Sequence, residues 1–313
     1  RGLREAGCVP GSGPGYAETP DGYSTPQIAE ALGGGQLTAA YLLHVDPIRD
    51  LPGRGAWEQA LERATTVVAH AAFLTEGLRE HATVVFPAEG HPEKEGTVVH
   101  PDGRLQRVRP AIAHQGENRA EWQVLAELSA RLGVETGVLT AGMAFQQLVD
   151  AVPFYAGITL DVIGGRGVRW PERAQATSLP DVAREPHPPG SDPAAGGGGR
   201  KGDDHGDSGG GGLSPLLRLG TFRSIWAAPE VEHAPALKFL AARQRAELSP
   251  EDARRLGVRH GERVEVAANG TRVRATVALR DDAPAGTVFL EEGVAEEGAN
   301  LLSGEELVEV RRP

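Results

Sequence analysis

Glu93 and Glu95 flank Lys94 in the stretch HPEKEGTVVH, residues 91–100. In an extended segment, residues two apart share a face. Paired carboxylates do acid–base work when their surroundings split their pKa values. The neighbouring residues supply no such surroundings, so the weightier reading is a charged corner. It leads into a strand and then a Pro101-Asp102-Gly103 turn. His91 and His100 stand nine apart, a separation that matches no metal-ligand spacing. The Gly-rich stretches GSGPG (11–15) and IGGRGV (163–168) lack the G-x-G-x-x-G order of a dinucleotide fingerprint and read as turns. There is no G-x-S-x-G element. Cys8 is the single cysteine, so this chain alone builds no disulfide, thiolate cage or four-cysteine iron–sulfur cluster.

The strand ends offer better positions. In an open parallel sheet, ligands bind beyond the carboxyl ends of the strands. Those ends carry His44-Val45-Asp46-Pro47, then Ala72 to Glu76, then Phe86-Pro87-Ala88-Glu89. A helix starting near Thr75 would favour an anion. Against this, Asp46 and Glu76 are acidic, and Thr75 and Asp46 serve equally well as cap and turn residues. The sequence therefore singles out no catalytic, cofactor-binding or metal-ligating residue.

The elements that place these ends follow from pattern. STPQIAEALGG has Thr25 as N-cap, Pro26 at the first helical position and Gly33 as a stop. LTAAYLLHVDP (37–47) reads as a buried strand. AWEQALERA is a helix, TTVVAHAAF a strand, TEGLREHA a helix and TVVFPAEG a third strand. This alternation implies a parallel sheet covered by helices. In NRAEWQVLAELSARLGV, Asn118 is expected to cap a helix whose apolar face carries Trp122, Leu125, Leu128 and Leu132, with Gly133 ending it. A short helix and a Gly-rich excursion follow over 151–172. Residues 180–214, Pro-rich and then Gly-rich, are expected to be a disordered linker; its His187 and His205 are read as bystanders. Beyond it the pattern turns to β. Ser249 caps a helix with Pro250 at its start, Asp252 completing an acidic capping box and Gly257 as the stop. Two alternating strands flank Asn269-Gly270, a strong hairpin signal, and TVFLEEG adds another strand.

The totals bound the class. The 313 residues are 40% hydrophobic and carry a net charge of −11. An acidic balance argues against nucleic acid and anionic membrane surfaces. The acidity peaks over 291–312, with seven Glu against two Arg. No apolar run approaches the roughly 20 residues of a membrane-spanning helix. The chain opens at Arg1 rather than Met, so it is expected to continue a longer polypeptide.

Taken together, Thr75-Glu76, Val84-Val85-Phe86-Pro87, Glu93-Lys94-Glu95-Gly96-Thr97, Gly103-Arg104-Leu105-Gln106, the Trp122 helix and Gly167-Val168-Arg169-Trp170-Pro171 resemble the molybdopterin oxidoreductase superfamily. ELSPEDARRLGVRHGERVEV resembles its C-terminal dinucleotide-binding domain. The resemblance implies an α/β fold: a parallel Rossmann-like sheet with helices over 1–179, the linker, and a double-psi β-barrel over 215–313. Ala299-Asn300-Leu301-Leu302 and the closing Leu307-Val308-Glu309-Val310 resemble one branch in particular, the large iron–sulfur subunit of bacterial NADH-quinone oxidoreductase, respiratory complex I. That branch implies a scaffold without catalytic residues or cofactor of its own, iron–sulfur clusters in a preceding part, and the other subunits of the peripheral arm as partners. It also implies a place at the cytoplasmic face of the membrane without insertion into it. The alternative is the C-terminal portion of a molybdopterin-dependent oxidoreductase, of formate dehydrogenase or nitrate reductase type, binding the pterin dinucleotide. Gly77 stands where the family usually has a hydroxyl residue, and His81-Ala82 where Ala-Asp is usual; both departures speak against cofactor contacts there. A stand-alone binding or assembly module is a third reading.

Overall fold

The computed structural model describes residues 1–181 and 216–313. Of the expected linker, all but Pro180 and Asp181 lies outside the described residues, His187 and His205 included. The first part runs α1 (Gly2–Glu5), α2 (Thr25–Gly33), β1 (Ala39–Leu43), α3 (Pro47–Asp50), α4 (Arg54–Arg63), β2 (Thr66–Ala71), α5 (Glu76–His81) and β3 (Val84–Pro87). It continues with β4 (Gly96–Val99), β5 (Arg104–Val108), α6 (Glu121–Arg131), α7 (Ala141–Ala151), α8 (Leu160–Ile163) and β6 (Val168–Arg169). The second part runs β7 (Leu217–Arg223), α9 (Pro229–His233), β8 (Arg245–Leu248), α10 (Pro250–Leu256), β9 (Arg263–Ala268), β10 (Thr271–Leu279), β11 (Thr287–Glu292) and β12 (Leu307–Arg311). Among the described residues no helix is long and apolar enough to cross a membrane.

The chain packs as two compact units, and neither follows chain order. One joins Thr25–Ala88 to Gly212–Pro313; the other joins Arg1–Ser24 to Glu89–Gly211. These bounds differ from the division at 179 and 215 read along the sequence. The parallel sheet shares a unit with the barrel because pairings far apart in the chain, such as Arg49 with Glu232, tie the two together.

In the first unit, β1, β2 and β3 form a parallel sheet in sequential order, with Leu42 opposite Ala69 and Ala69 opposite Val85. Leu32, Leu42, Trp57, Leu61, Val67 and Leu78 form its core. The six later strands close a barrel in the order β10-β8-β11-β7-β12-β9. Two of its pairs are parallel, β7 with β11 and β8 with β10; the fold is a double-psi β-barrel. Alternation places Val273, Ala275 and Val277 of β10 inside, with Leu217, Leu248, Val266, Leu290 and Val308. The β9–β10 hairpin turns at Asn269 (φ 48°) and Gly270 (φ 85°), the two left-handed residues that a type I′ turn requires. Ser249 caps α10 as expected, its Oγ accepting the Asp252 N–H at 3.0 Å. The Asp252 carboxylate also accepts the Gly286 N–H at 2.8 Å and faces Arg255 at 2.6 Å, so the capping box is also a tie across the barrel.

In the other unit, β4, β5 and β6 are antiparallel. Trp170, Phe154, Tyr155, Leu105 and Ile163 form an aromatic-rich core, with the rings of Phe154 and Trp170 4.6 Å apart. The Tyr155 hydroxyl donates to the Glu5 carboxylate. Burial, followed by that bond, pushes the phenol pKa well above its usual value, so Tyr155 remains a donor and anchors α1.

The charged stretch at 91–97 is architectural. Glu93 accepts the Gly90 N–H at 2.7 Å, the Gln115 N–H at 2.7 Å and the Asn118 amide at 2.8 Å. Lys94 pairs with Glu121 at 2.8 Å, and Glu95 with Arg107 at 3.1 Å. Each carboxylate therefore has a different partner, and the two form no acid–base pair. This use of Asn118 corrects its expected role. α6 begins at Glu121 with Ala120 in the cap position, because the Asn118 amide is drawn to Glu93 instead. The apolar face of α6 is corrected as well: Val124 is buried, whereas Leu128 is exposed and Leu132 is 75% exposed. Gly133 ends the helix as expected, at φ 84°.

The Asn118 amide and then the Gly90 N–H hold the Glu93 carboxyl below the usual carboxylate range. A depressed folded pKa contributes stability that is present above the unfolded value of about 4.3 and lost as pH falls through the folded value. Glu93→Gln is therefore expected to lower the thermal midpoint clearly at pH 7. The gap from the parent should close as the pH falls below about 4, followed by circular dichroism across a pH series. A gap that stays constant to pH 3 would refute the assignment.

Candidate functional site at the strand ends

β1 stops at Leu43, and the chain turns through His44, whose φ of 51° is left-handed. This conformation is uncommon outside glycine. It is fixed by the His44 N–H bonding to the His70 carbonyl at 2.9 Å, which continues the β1–β2 ladder one step beyond the strand. Asp46 follows and is buried. Its Oδ1 accepts the Ile48 N–H at 3.0 Å and caps α3. Its Oδ2 accepts the Thr75 hydroxyl at 2.6 Å and the Gly77 N–H at 3.1 Å at the start of α5. One carboxylate thus serves two helix N-termini, where negative charge is favoured.

This arrangement decides between the two readings of Thr75. Thr75 stands at the cap position of α5 but makes no capping bond of its own; it donates to Asp46. The anion at this helix start is Asp46 itself. The same packing accounts for Gly77, because a Cβ there would lie 2.2 Å from Asp46 Oδ1. A hydroxyl residue of the kind the superfamily usually carries has no room beside this carboxylate.

The other flank of the edge comes from the barrel half of the same unit. Arg49, with its side chain 5% exposed, forms a two-pronged pair with Glu232 at 2.8 and 2.7 Å. It also donates to the Ala227 carbonyl at 3.3 Å. Burial alone would lower the guanidinium pKa; the hydrogen bond and charge of Glu232 outweigh it, and the net shift is upward. The rings of Phe73 and His233 lie 5.3 Å apart. Asn300 donates to the Ile48 and Leu51 carbonyls at 2.8 and 3.1 Å, capping the end of α3 from the barrel. Sequence reading found neither Arg49 nor Glu232, because partners 183 residues apart leave no local signal. Asn300 stood out only as part of a family-like pattern.

Exposed side chains at the edge include His44, Leu74 and Glu76, and Trp226, the sequence neighbour of Ala227, is also exposed. An imidazole, a carboxylate, an aliphatic chain and an indole suit the base and ribose of a nucleotide, which need hydrogen-bond partners and an apolar face. The starts of α3 and α5 do not suit phosphates, since Asp46 takes their N–H groups. Glu89, read at the end of β3, belongs to the other unit, where it meets His114 at 2.6 Å. Among the described residues, no group of three or more His, Cys, Asp or Glu is placed to hold a metal ion.

Gly77→Ala is expected to cost about 2–4 kcal/mol, through overpacking and loss of a cap bond, read as a lower urea midpoint. A cost below about 0.5 kcal/mol would show that Asp46 moves aside freely.

Residues 17–131 match the family model described as "Molybdopterin oxidoreductase", and residues 217–311 the one described as "Molydopterin dinucleotide binding domain". The α subunit of the NADPH-Fe(3+) oxidoreductase of Geobacter sulfurreducens is 26% identical over 92% of this chain and 33% of its own length. The α subunit of F420-dependent formate dehydrogenase 1 of Methanococcus maripaludis is 26% identical over 97% of this chain and 48% of its own length. The chain thus spans a third to a half of these relatives. Among solved structures, acetylene hydratase from Pelobacter acetylenicus superposes with a TM-score of 0.63 at 15% identity, over 94% of this chain and 47% of that one; the likeness concerns the fold. These relatives, α subunits of an NADPH-Fe(3+) oxidoreductase and of a formate dehydrogenase, support the superfamily and do not specifically support the iron–sulfur subunit of complex I. The two family matches, both to molybdopterin-type domains, also run against the expectation that this chain carries no cofactor of its own, while agreeing with the expected dinucleotide-binding-like barrel.

Proposed function

Because the chain belongs to the molybdopterin oxidoreductase family, we propose that it is the C-terminal portion of a molybdopterin-dependent oxidoreductase of formate dehydrogenase type. In this reading it holds the guanosine arm of the pterin dinucleotide at the ends of β1 and β2. One observation carries the proposal. The β1–β3 sheet and the barrel, drawn from the two separately matched regions, form a single compact unit. His44 and Glu76 would meet the polar groups of the base and ribose, and Leu74 and Trp226 would cover the ring. The Arg49–Glu232 pair and Asn300 are positioning residues that fix the sheet edge against the barrel loops. When bound, the cofactor supplies two-electron redox chemistry. This chain's contribution is to bind and orient it.

A second reading draws on Asp46. Its carboxylate fills the helix starts that could otherwise receive an anion. This favours a scaffold of the NADH-quinone oxidoreductase type, with the other complex I subunits as partners at the cytoplasmic face of the membrane and clusters in a preceding part.

The two readings separate on the purified full-length protein. Stoichiometric molybdenum or tungsten, pterin fluorescence after acid oxidation and released guanine nucleotide are expected. Glu76→Gln and His44→Ala should each lower nucleotide retention about tenfold, corresponding to about 1.4 kcal/mol. Iron and sulfide without molybdenum, tungsten or pterin would instead leave the scaffold.

A further inference from the structure

We propose that the barrel carries a second ligand site, a cleft for a free nucleoside polyphosphate, which shares the positioning residue Glu232 with the sheet edge but none of the residues assigned to contact the cofactor, His44, Leu74, Glu76 and Trp226. The cleft has a volume of about 740 Å³. The barrel places its floor. Arg263 of β9 lies directly opposite Thr276 of β10. Arg274, two residues before Thr276, is exposed on the same outward face, as the strand period requires. Arg243 lies two residues before β8, and the 3₁₀ turn Lys238–Leu240 forms the rim. The floor is held by the buried Gln244. Its side-chain amide donates to the Glu291 and Glu297 carbonyls at 2.9 and 2.8 Å, and its main-chain carbonyl accepts the Thr276 N–H at 3.0 Å.

Charge distinguishes this cleft from the rest of an acidic chain. Several arginines elsewhere on the barrel have carboxylate partners: Arg272 and Arg311 share Glu265, Arg245 meets Glu291 and Arg280 meets Glu247. In the cleft, Lys238, Arg243 and Arg263 have no side-chain partner among the described residues, and Arg274 reaches Glu265 only at 4.0 Å. Four cations at one site in a protein of net charge −11 repel one another, and phosphate oxygens relieve that repulsion with paired hydrogen bonds to guanidinium.

Three carboxylates also line the cleft: Glu232, neutralised by Arg49, and Glu296 and Glu297. Both Glu232 oxygens are taken by Arg49 and Glu297 accepts the Arg274 main-chain N–H at 2.8 Å, so Glu296 and the second oxygen of Glu297 are the acceptors for ribose hydroxyls or base amines, groups that inorganic phosphate lacks. Phe239 completes the set. It is 81% exposed on the rim and offers a ring on which a base can stack.

Isothermal titration of the purified protein with ATP, with inorganic pyrophosphate as the control, tests the proposal. One ATP site is expected, weakening as salt is raised. Arg243→Glu and Arg263→Glu should each weaken it at least about tenfold, and Phe239→Ala about threefold. Glu76→Gln should leave it unchanged, and pyrophosphate should bind more weakly than ATP. All four changed residues are exposed, and circular dichroism verifies their folding. No ATP binding up to about 1 mM, pyrophosphate binding as tight as ATP, or ATP binding that ignores the arginine variants would each overturn the proposal. Because the readout is free-nucleotide binding, absence of pterin from the full-length protein defeats the cofactor reading alone.

Discussion

The Asp46 carboxylate is the constraint on which the strand-end region depends. A buried carboxylate is costly unless hydrogen bonds surround it. Asp46 meets that condition with two helix N-termini and a threonine hydroxyl. Position 77 is confined to glycine, Thr75 is turned inward, and the starts of α3 and α5 are held to one carboxylate. Arg49, three residues on from Asp46, is presented to Glu232. Asp46 has taken the N–H groups at the helix starts that would otherwise meet a phosphate.

The same device recurs through both units. Glu93 gathers a loop around a 3₁₀ turn, Asp252 ties α10 to the turn before β11, Glu265 collects arginines, and the fully buried Glu291 meets Arg245 and the Ser224 hydroxyl. Net negative charge in this chain is therefore not all surface solvation; several carboxylates are internal staples. This explains why the motifs richest in charge, including Glu-Lys-Glu-Gly-Thr, turn out to be architecture. The cationic cleft stands out against this background because its charges have not been used in the same way.

Local physics made much of the fold legible in the sequence. Ser249 and Gly257 bound α10 because a cap and a left-handed stop are properties of a few adjacent residues. Asn269-Gly270 specified its hairpin for the same reason. The strands of the parallel sheet showed through their apolar runs, although β1 is shorter than the run that contains it. The failures were of another kind. Asn118 looked like a cap until Glu93, 25 residues away, claimed its amide. α6 buries Val124 rather than a Leu128–Leu132 face, because the face that packs is chosen by neighbours, not by the helix. At the site, the strand ends were legible from topology alone. That Asp46 would be consumed, and that Arg49 and Glu232 would hold the edge, depended on contacts across the chain.

The sheet and the barrel share a unit, yet residues 89–211 lie between them in sequence. On the ribosome, residues 25–88 emerge long before their partners. At about 5–20 residues per second, the wait is on the order of 10 s. Throughout it, Arg49 has no Glu232, and the carbonyls of Ile48 and Leu51 have no Asn300. The early sheet must persist by its own core of Trp57, Leu61 and Val67, or be sheltered until synthesis ends. The sheet edge is thus completed only when a segment made more than a hundred residues later folds against it.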